Sequence, residues 1–218
     1  MKSPETARRN MIDGQLRTND VSHLGLLEAF EAVPREFFVP PGSHSTAYVD
    51  EAISLGSGRV MLEPLVLARL IQALELKACD HVLDIAAGTG YGAALLARLA
   101  ASVIVVEDKL NLANTASANM HRLRLQNVAV VTSSLANGYA AQAPYDAILV
   151  EGGVKTIPES LFTQLAEGGR LAAVQMGRGL IGQATIWHKT GGVISCRTLF
   201  DAGVQLLQPF ADTPAFVL

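Results

Sequence analysis

The chain has 218 residues, of which 50% are hydrophobic and 17% charged, and its formal net charge is −3. This length supports one sizeable core, and the slightly negative charge excludes the basic surface typical of nucleic-acid binding. Cys79 and Cys196 are too few for a disulfide framework, and no apolar run approaches the ~20 residues of a membrane span. We therefore expect a cytoplasmic protein with small-molecule or peptide partners, no nucleic acid and no membrane.

The first 80 residues have a mainly helical pattern. Ser3 before a proline is typical of a capped helix start, Ser22 is a candidate cap for a second helix, and a third helix is predicted after Pro64. Segment 55–64 is rich in glycine and then apolar. Its position predicts a loop that folds over a pocket.

The next segment, 82–97, predicts a buried strand, a turn of small residues and an amphipathic helix. Gly88 and Gly90 in the turn can adopt backbone angles closed to other residues, and they let a ribose or phosphate approach backbone amides. The turn therefore predicts a nucleotide-like ligand. A tight turn without any ligand is the alternative.

Two ligand classes use such a turn. Gly88-x-Gly90-x-x-Ala93 fits a dinucleotide fingerprint, with Glu107 as the ribose acid. Asp84-x-Ala86-x-Gly88-x-Gly90 fits the turn that binds S-adenosylmethionine. Asp84 favours the second class, because this cofactor carries a positive amino group and a sulfonium, whereas a pyrophosphate would be repelled by a carboxylate.

Beyond the turn, strand and helix patterns alternate, which is typical of a parallel sheet covered by helices. Strands are predicted at 103–107, 128–132, 147–150 and 170–175, and helices at 110–123 and 158–165. Segments 184–189 and 193–200, separated by a Thr-Gly-Gly turn, suit a hairpin. The expected fold class is α/β with an antiparallel edge.

Several blocks of the sequence, collinear over about residues 9–175, resemble protein-L-isoaspartate O-methyltransferases. The blocks are 11–17 (MIDGQLR), 33–40 (VPREFFVP), 47–48, 56–64, 84–91, 143–146 (APYD), 157–158 and 168–171 (GGRL). The resemblance implies an S-adenosylmethionine-dependent methyltransferase (Rossmann-like) fold with a mostly parallel seven-stranded sheet and a C-terminal antiparallel hairpin. It also implies S-adenosyl-L-methionine as cofactor and methyl transfer to the α-carboxylate of isoaspartyl residues in damaged proteins or peptides.

We expect one methyltransferase domain over 1–218, in which 1–80 forms a helical extension with the substrate loop and 81–218 forms the cofactor-binding core. Glu107 is the expected ribose acid, followed by Asp108, and Tyr91 is assigned either to the cofactor or to the core. The expected cofactor-binding residues are Asp84, Ala86, Gly88, Thr89, Gly90, Tyr91, Glu107, Asp108, Ser134, Leu135 and Glu151. The expected substrate pocket comprises Ser57, Met61, Leu62 and Glu63. The five histidines show no metal-ligand spacing, so no metal is expected.

The sequence departs from the family pattern at several site positions. Val60 and Leu62 stand where the family usually has threonine and serine, whose hydroxyls lie beside the transferred methyl, so no catalytic residue is assigned. Glu63 occupies a variable position; we expect it to face outward, and the alternative, an inward-facing carboxylate, would repel an anionic substrate. Ala86 replaces a glycine, a mild loss if its φ is negative, and Ser134 replaces an aspartate that bonds the adenine amino group.

Three functional hypotheses follow. The first is an active carboxyl methyltransferase, with weaker repair activity or a changed acceptor because Leu62 lacks a hydroxyl. The second is a degenerate relative that binds the cofactor and serves as a sensor or binding module. The third, a nicotinamide-dependent oxidoreductase, is disfavoured by Asp84 and by the lack of room for a second domain.

Overall fold

The structure is a computed structural model and describes residues 3–177 and 179–211. The described N-terminal part contains three α-helices, a π-helical turn (Ile12–Leu16) that continues the first of them, short 3-10 turns and a small antiparallel hairpin. In chain order the α-helices and strands are α1 (Pro4–Met11), α2 (Leu24–Ala32), β1 (Ile53–Gly56), β2 (Arg59–Met61) and α3 (Pro64–Ala73). The predicted helix start at Ser3 and the helix after Pro64 are confirmed. Segment 55–64 is not an irregular loop throughout, because much of it pairs in the hairpin.

The cap of α2 differs from the prediction. His23 Nδ1 accepts the backbone N–H of Leu26 at 3.1 Å, so His23 and not Ser22 caps this helix. The N–H of Ser22 instead donates to Gln72 Oε1 at 2.8 Å. The predicted cap was wrong by one residue, because a histidine nitrogen can accept the backbone N–H that a serine oxygen usually accepts at a helix start.

The rest of the chain forms a seven-stranded sheet flanked by three further helices. The strands are β3 (His81–Ile85), β4 (Ser102–Glu107), β5 (Val128–Thr132), β6 (Tyr145–Val154), β7 (Leu165–Met176), β8 (Gly182–Thr190) and β9 (Val193–Ala202). The helices are α4 (Tyr91–Leu96), α5 (Leu110–Arg122) and α6 (Glu159–Thr163). The sheet order is β5-β4-β3-β6-β7-β8-β9, in which β3 to β7 are parallel and β8 pairs antiparallel with both β7 and β9. The predicted α/β fold class with an antiparallel edge is therefore confirmed.

Alternate residues of the parallel strands face opposite sides of the sheet. Val82 belongs to the apolar cluster that includes the N-terminal helices, whereas Leu83 belongs to the cluster on the other side. By the same alternation, Asp84, Glu107 and Glu151 lie on the face that the N-terminal part covers. Three carboxyl groups are thus directed toward a largely apolar layer.

The segment after β9 returns to the end of β6. The N–H of Gly153 donates to the carbonyl of Gln205, and the N–H of Leu207 donates to the carbonyl of Gly153, both at 2.9 Å. A Cβ added at Gly152 would lie 2.6 Å from Leu207 Cγ, so glycine is needed for this close approach. The chain beyond β9 therefore lines the same sheet edge as Glu151.

Candidate active site

Four side chains assigned to the cofactor site lie at one edge of the sheet. Ser134 follows β5, Glu107 ends β4, Asp84 lies near the end of β3, and Glu151 lies in the second half of β6. Because the sheet order is β5-β4-β3-β6, these residues form a row across the carboxyl edge, where open parallel sheets bind ligands. Ser134 is exposed and the three acids are buried.

The turn between β3 and α4 has three residues with positive φ. Gly88 and Gly90 have φ of 58° and 90°, as the sequence predicts for residues that only glycine suits. Ala86 has φ of 63°. The expectation that alanine here is a mild loss depended on a negative φ and was wrong, because alanine in the left-handed region is strained.

The two glycines also allow close packing around the turn. A Cβ added at Gly88 would lie 2.5 Å from Leu55 Cδ1 of β1, and one added at Gly90 would lie 2.8 Å from Met120 Cε of α5. Thr89 Oγ1 donates to the carbonyl of Phe38 at 2.6 Å. The Thr89 hydroxyl therefore anchors the turn to the N-terminal part of the chain.

Glu107 is fully buried and has several donors around it. Its carboxylate accepts the N–H of Gly88 at 3.0 Å and that of Lys109 at 3.1 Å, and it forms an ion pair with Arg59 Nε at 3.2 Å. Burial raises the pKa of Glu107, and the charge of Arg59 and the two backbone donors oppose that rise. This acid fastens the glycine turn and the β1–β2 hairpin together.

Asp108 extends the same cluster. It pairs with Arg59 Nη2 and with Lys109 Nζ. Burial alone would raise the pKa of Asp108, but the hydrogen bond with Glu107 and the charges of Arg59 and Lys109 lower it. Sequence reasoning missed the role of Arg59, because the residue lies 48 positions from Glu107 and single arginines are usually solvated.

The hairpin and the residues after it carry the expected substrate pocket. Ser57 lies exposed in the hairpin turn, where its hydroxyl accepts Asn111 Nδ2 at 3.3 Å, and Val60 is half-buried. Met61 and Leu62 are buried in the apolar cluster that contains the N-terminal helices. The residues at the family's hydroxyl positions thus present only apolar side chains.

The chain around Leu62 is held by a buried arginine. Arg35 Nη2 donates to the carbonyl of Leu62 and Arg35 Nε donates to the carbonyl of Ala47, each at 2.7 Å. Glu63 follows, half-buried, before α3. Partial burial, together with the charges of Asp50 and Glu51, raises its pKa. Glu63 is therefore only partly directed outward.

Two of the assigned cofactor residues lie in the interior. The Tyr91 ring packs edge-on against Phe30 and Phe38, with the Arg35 guanidinium 4.8 Å from the ring centre. Burial raises the pKa of Tyr91 to about 12. Leu135 is fully buried in the apolar cluster on the opposite face of the sheet. The position of Tyr91 favours the core alternative over contact with a cofactor.

The chain is similar over most of its length to proteins of one family. The family model for protein-L-isoaspartate(D-aspartate) O-methyltransferase (PCMT) matches residues 7–194. The chain belongs to this family. It is 40% identical over 197 residues to a protein-L-isoaspartate O-methyltransferase from Roseiflexus castenholzii, covering 89% of this chain and 88% of that one. A relative of the same name from Koribacter versatilis is 40% identical over 164 residues, covering 75% and 74%.

Solved structures of the family share the fold. One protein-L-isoaspartate O-methyltransferase has a TM-score of 0.80 and 27% identity, and the match covers 92% of this chain and 65% of that one. A second, from Plasmodium falciparum in complex with S-adenosyl-L-homocysteine, has a TM-score of 0.80 over 96% of this chain and all of that one. At 19% identity, this second likeness concerns the fold alone.

Two negative observations complete the description. None of the helices in the described ranges combines the length and apolar composition that a membrane crossing requires. Within residues 3–177 and 179–211, no group of three or more His, Cys, Asp or Glu side chains is arranged to hold a metal ion.

Proposed function

We propose that this member of the PCMT family is an S-adenosylmethionine-dependent carboxyl O-methyltransferase acting on isoaspartyl residues of proteins or peptides. The observation that carries the proposal is the family match over residues 7–194, which includes both the hairpin and the cofactor turn. The row of side chains at the carboxyl edge of the sheet supports it. Nothing in the site favours the nicotinamide alternative.

The residues present fit the cofactor. Both Asp84 carboxylate oxygens, directly before the glycine turn, are buried without a hydrogen-bond partner among the described residues, as a site for a cationic ligand requires. We assign Glu107 to the ribose hydroxyls, Asp84 to the methionyl end and the Ser134 hydroxyl to the adenine amino group. When bound, S-adenosyl-L-methionine supplies a methyl group activated by a sulfonium.

The task of the protein is mainly to position the acceptor. A carboxylate is already ionised at neutral pH, with a reference pKa near ~3.9, so it needs no general base. Orientation and exclusion of water then dominate the barrier. Because Val60 and Leu62 offer no hydroxyl to hold the acceptor carboxylate, we expect a rate about one to two decades below that of a relative with the hydroxyls, since a lost charged hydrogen bond costs about 1.5–3 kcal/mol.

A transfer assay tests the proposal directly. The purified protein is incubated with methyl-labelled S-adenosyl-L-methionine and an isoaspartyl peptide, with the same peptide containing ordinary aspartate as control. We expect label only in the isoaspartyl peptide. Binding of S-adenosyl-L-homocysteine without transfer to any isoaspartyl peptide would instead support the degenerate relative, and failure to bind it would contradict both.

A matched pair of variants tests the missing hydroxyl. Leu62→Ser restores the family residue, and Leu62→Ala leaves a similar cavity without a hydroxyl. Both should destabilise the protein by about 2–5 kcal/mol, because Leu62 is 1% exposed. Only Leu62→Ser should raise the transfer rate, by about tenfold or more. Equal rates in the two variants would show that this position does not orient the acceptor.

We further propose a cytoplasmic location and a single domain over 1–218. Cys79 and Cys196 are exposed, and neither forms a disulfide in the described part of the chain, which suits a reducing compartment. One apolar cluster contains residues of both the N-terminal helices and the sheet, which supports a single folding unit. Cell fractionation would test the location, and a single unfolding transition would support the single domain.

A further inference from the structure

Two buried carboxyl groups remain outside the interactions described so far. Asp84 is 0% exposed and Glu151 is 3% exposed. Both Asp84 oxygens and Glu151 Oε1 have no hydrogen-bond partner within the described residues. β3 and β6 pair with Asp84 opposite Leu149, so Glu151 lies two residues further along on the same face. The two carboxyl groups lie close enough for each to affect the pKa of the other.

Helix α4 is shaped around Glu151. A Cβ added at Gly92 would lie 2.2 Å from Glu151 Oε1 and 2.7 Å from its Cδ. The carboxyl group thus occupies the space that any other residue at position 92 would take. Burying an acid without a hydrogen-bond partner lowers the free energy of unfolding, and binding a ligand with a donor group would offset this cost.

The surroundings of the pair supply little positive charge. Arg35 and Glu107 are the charged side chains whose fields act on Glu151 besides Asp84, and Glu107 is itself paired with Arg59. Burial raises the pKa of Asp84 to about 8 and the pKa of Glu151 well above its usual range, and the like charge of the partner raises the latter further. Two neighbouring buried carboxyl groups without donors therefore favour a proton on this pair in the empty protein.

The position of the pair fits one end of the cofactor. In the sheet order, β3 lies next to β4, which carries the proposed ribose acid Glu107, and β6 lies on the other side of β3. The methionyl end of S-adenosyl-L-methionine extends beyond the ribose and carries an α-ammonium group. An ammonium group has three hydrogen-bond donors and a positive charge. It can therefore supply the partners that the oxygens of Asp84 and Glu151 do not find in the described chain.

We propose that Glu151 joins Asp84 in binding the α-ammonium group of the cofactor, and that binding releases to solvent a proton that the pair holds in the empty protein. This inference rests on the proposed function. Proton release would make cofactor affinity depend on pH, even when no methyl acceptor is bound.

Calorimetry of two ligands tests the inference. S-adenosyl-L-homocysteine carries the ammonium group, and 5′-methylthioadenosine has the same adenosyl part without the amino acid. Titrations at pH 7 in buffers of different ionisation enthalpy should show about one proton released with the first ligand and none with the second. Between pH 6 and 8 the affinity for S-adenosyl-L-homocysteine should rise by up to about tenfold per unit, while that for 5′-methylthioadenosine stays constant.

The variant Glu151→Gln, with Glu28→Gln on the exposed surface as control, completes the test. At pH 8, Glu151→Gln should bind S-adenosyl-L-homocysteine about tenfold or more weakly, while its affinity for 5′-methylthioadenosine is unchanged. Because burial alone keeps the pKa of Asp84 raised, the loss of proton release and of the pH dependence is expected in the double variant Asp84→Asn/Glu151→Gln. Glu28→Gln should behave as wild type. Wild-type affinity for S-adenosyl-L-homocysteine in Glu151→Gln, proton release that persists in the double variant, or proton release that also accompanies 5′-methylthioadenosine would overturn the inference alone. If neither ligand binds, the proposed function fails and the inference with it.

Discussion

Glu107 and Glu151 are both buried glutamates at the same sheet edge, on the two strands that flank β3. Glu107 is surrounded by an arginine and two backbone donors, whereas Glu151 faces a second carboxyl group. A buried glutamate therefore stabilises the empty protein at position 107 and destabilises it at position 151.

The two acids differ in how much their burial depends on a bound ligand. At the Glu107 end, the charges are satisfied within the chain, so this end can hold its shape without a cofactor. At the Glu151 end, desolvated oxygens have no donor in the described chain, so a cationic ligand would relieve the cost of burying them. A matched substitution at the two positions should consequently act in opposite directions.

The largest expected effect comes from Glu107→Gln. This variant should lower the free energy of unfolding by about 3 kcal/mol, because the buried Arg59 loses its full partner and keeps only Asp108. Urea denaturation measures the change. An unchanged free energy of unfolding in Glu107→Gln would contradict the stabilising role of Glu107. Arg59→Gln combined with Glu107→Gln is the control, since the double variant should recover part of the loss.

Glu151→Gln should instead raise the free energy of unfolding of the empty protein, by about 1–3 kcal/mol near pH 8, because the neutral amide avoids the cost of keeping a buried acid, whether charged or protonated, at that pH. The sign follows from linkage. A carboxyl group whose folded-state pKa is raised contributes stability below its unfolded pKa, here 4.5, and this contribution is lost as pH rises toward the folded value. The advantage of the variant should therefore grow from about pH 5 to pH 8.

Denaturation of wild type and Glu151→Gln at several pH values measures this difference. Stabilisation that does not change with pH would show that the gain comes from packing. Destabilisation at pH 8 would contradict the description of the Asp84–Glu151 pair.

The smallest effect is expected in the turn that both ends share. Ala86→Gly should raise the free energy of unfolding by about 1 kcal/mol, because glycine adopts the observed φ of 63° without strain. The greater freedom of glycine in the unfolded chain offsets part of this gain. Thermal denaturation checks it, with Ala87→Gly as control, since Ala87 has no positive φ and should lose stability.

The sequence predicted most of what depends on neighbouring residues. Alternation of strands and helices indicated the parallel sheet, and the Thr-Gly-Gly turn indicated the β8–β9 hairpin, because both patterns record local burial and turn geometry. The ends of the strands were also sufficient to bring Asp84, Glu107 and Glu151 to one edge. The positive φ of Gly88 and Gly90 followed from their lack of Cβ.

What the sequence did not indicate depends on contacts between distant segments. The Arg59–Glu107 ion pair joins residues 48 positions apart, and the fit of Glu151 against Gly92 depends on how α4 lies on the sheet. The positive φ of Ala86 was likewise invisible, because alanine gives no local signal for the left-handed region. Such contacts are set by the packed fold and not by any spacing along the chain.

The β1–β2 hairpin has a kinetic consequence. It lies over the glycine turn and is fastened on one side by Arg59 and on the other by Gln205 Nε2, which donates to the carbonyl of Gly58 at 3.3 Å. Because Glu107 is 0% exposed and paired with Arg59, we expect a ligand to reach this carboxylate only when the hairpin moves aside. Association should then be slower than diffusion.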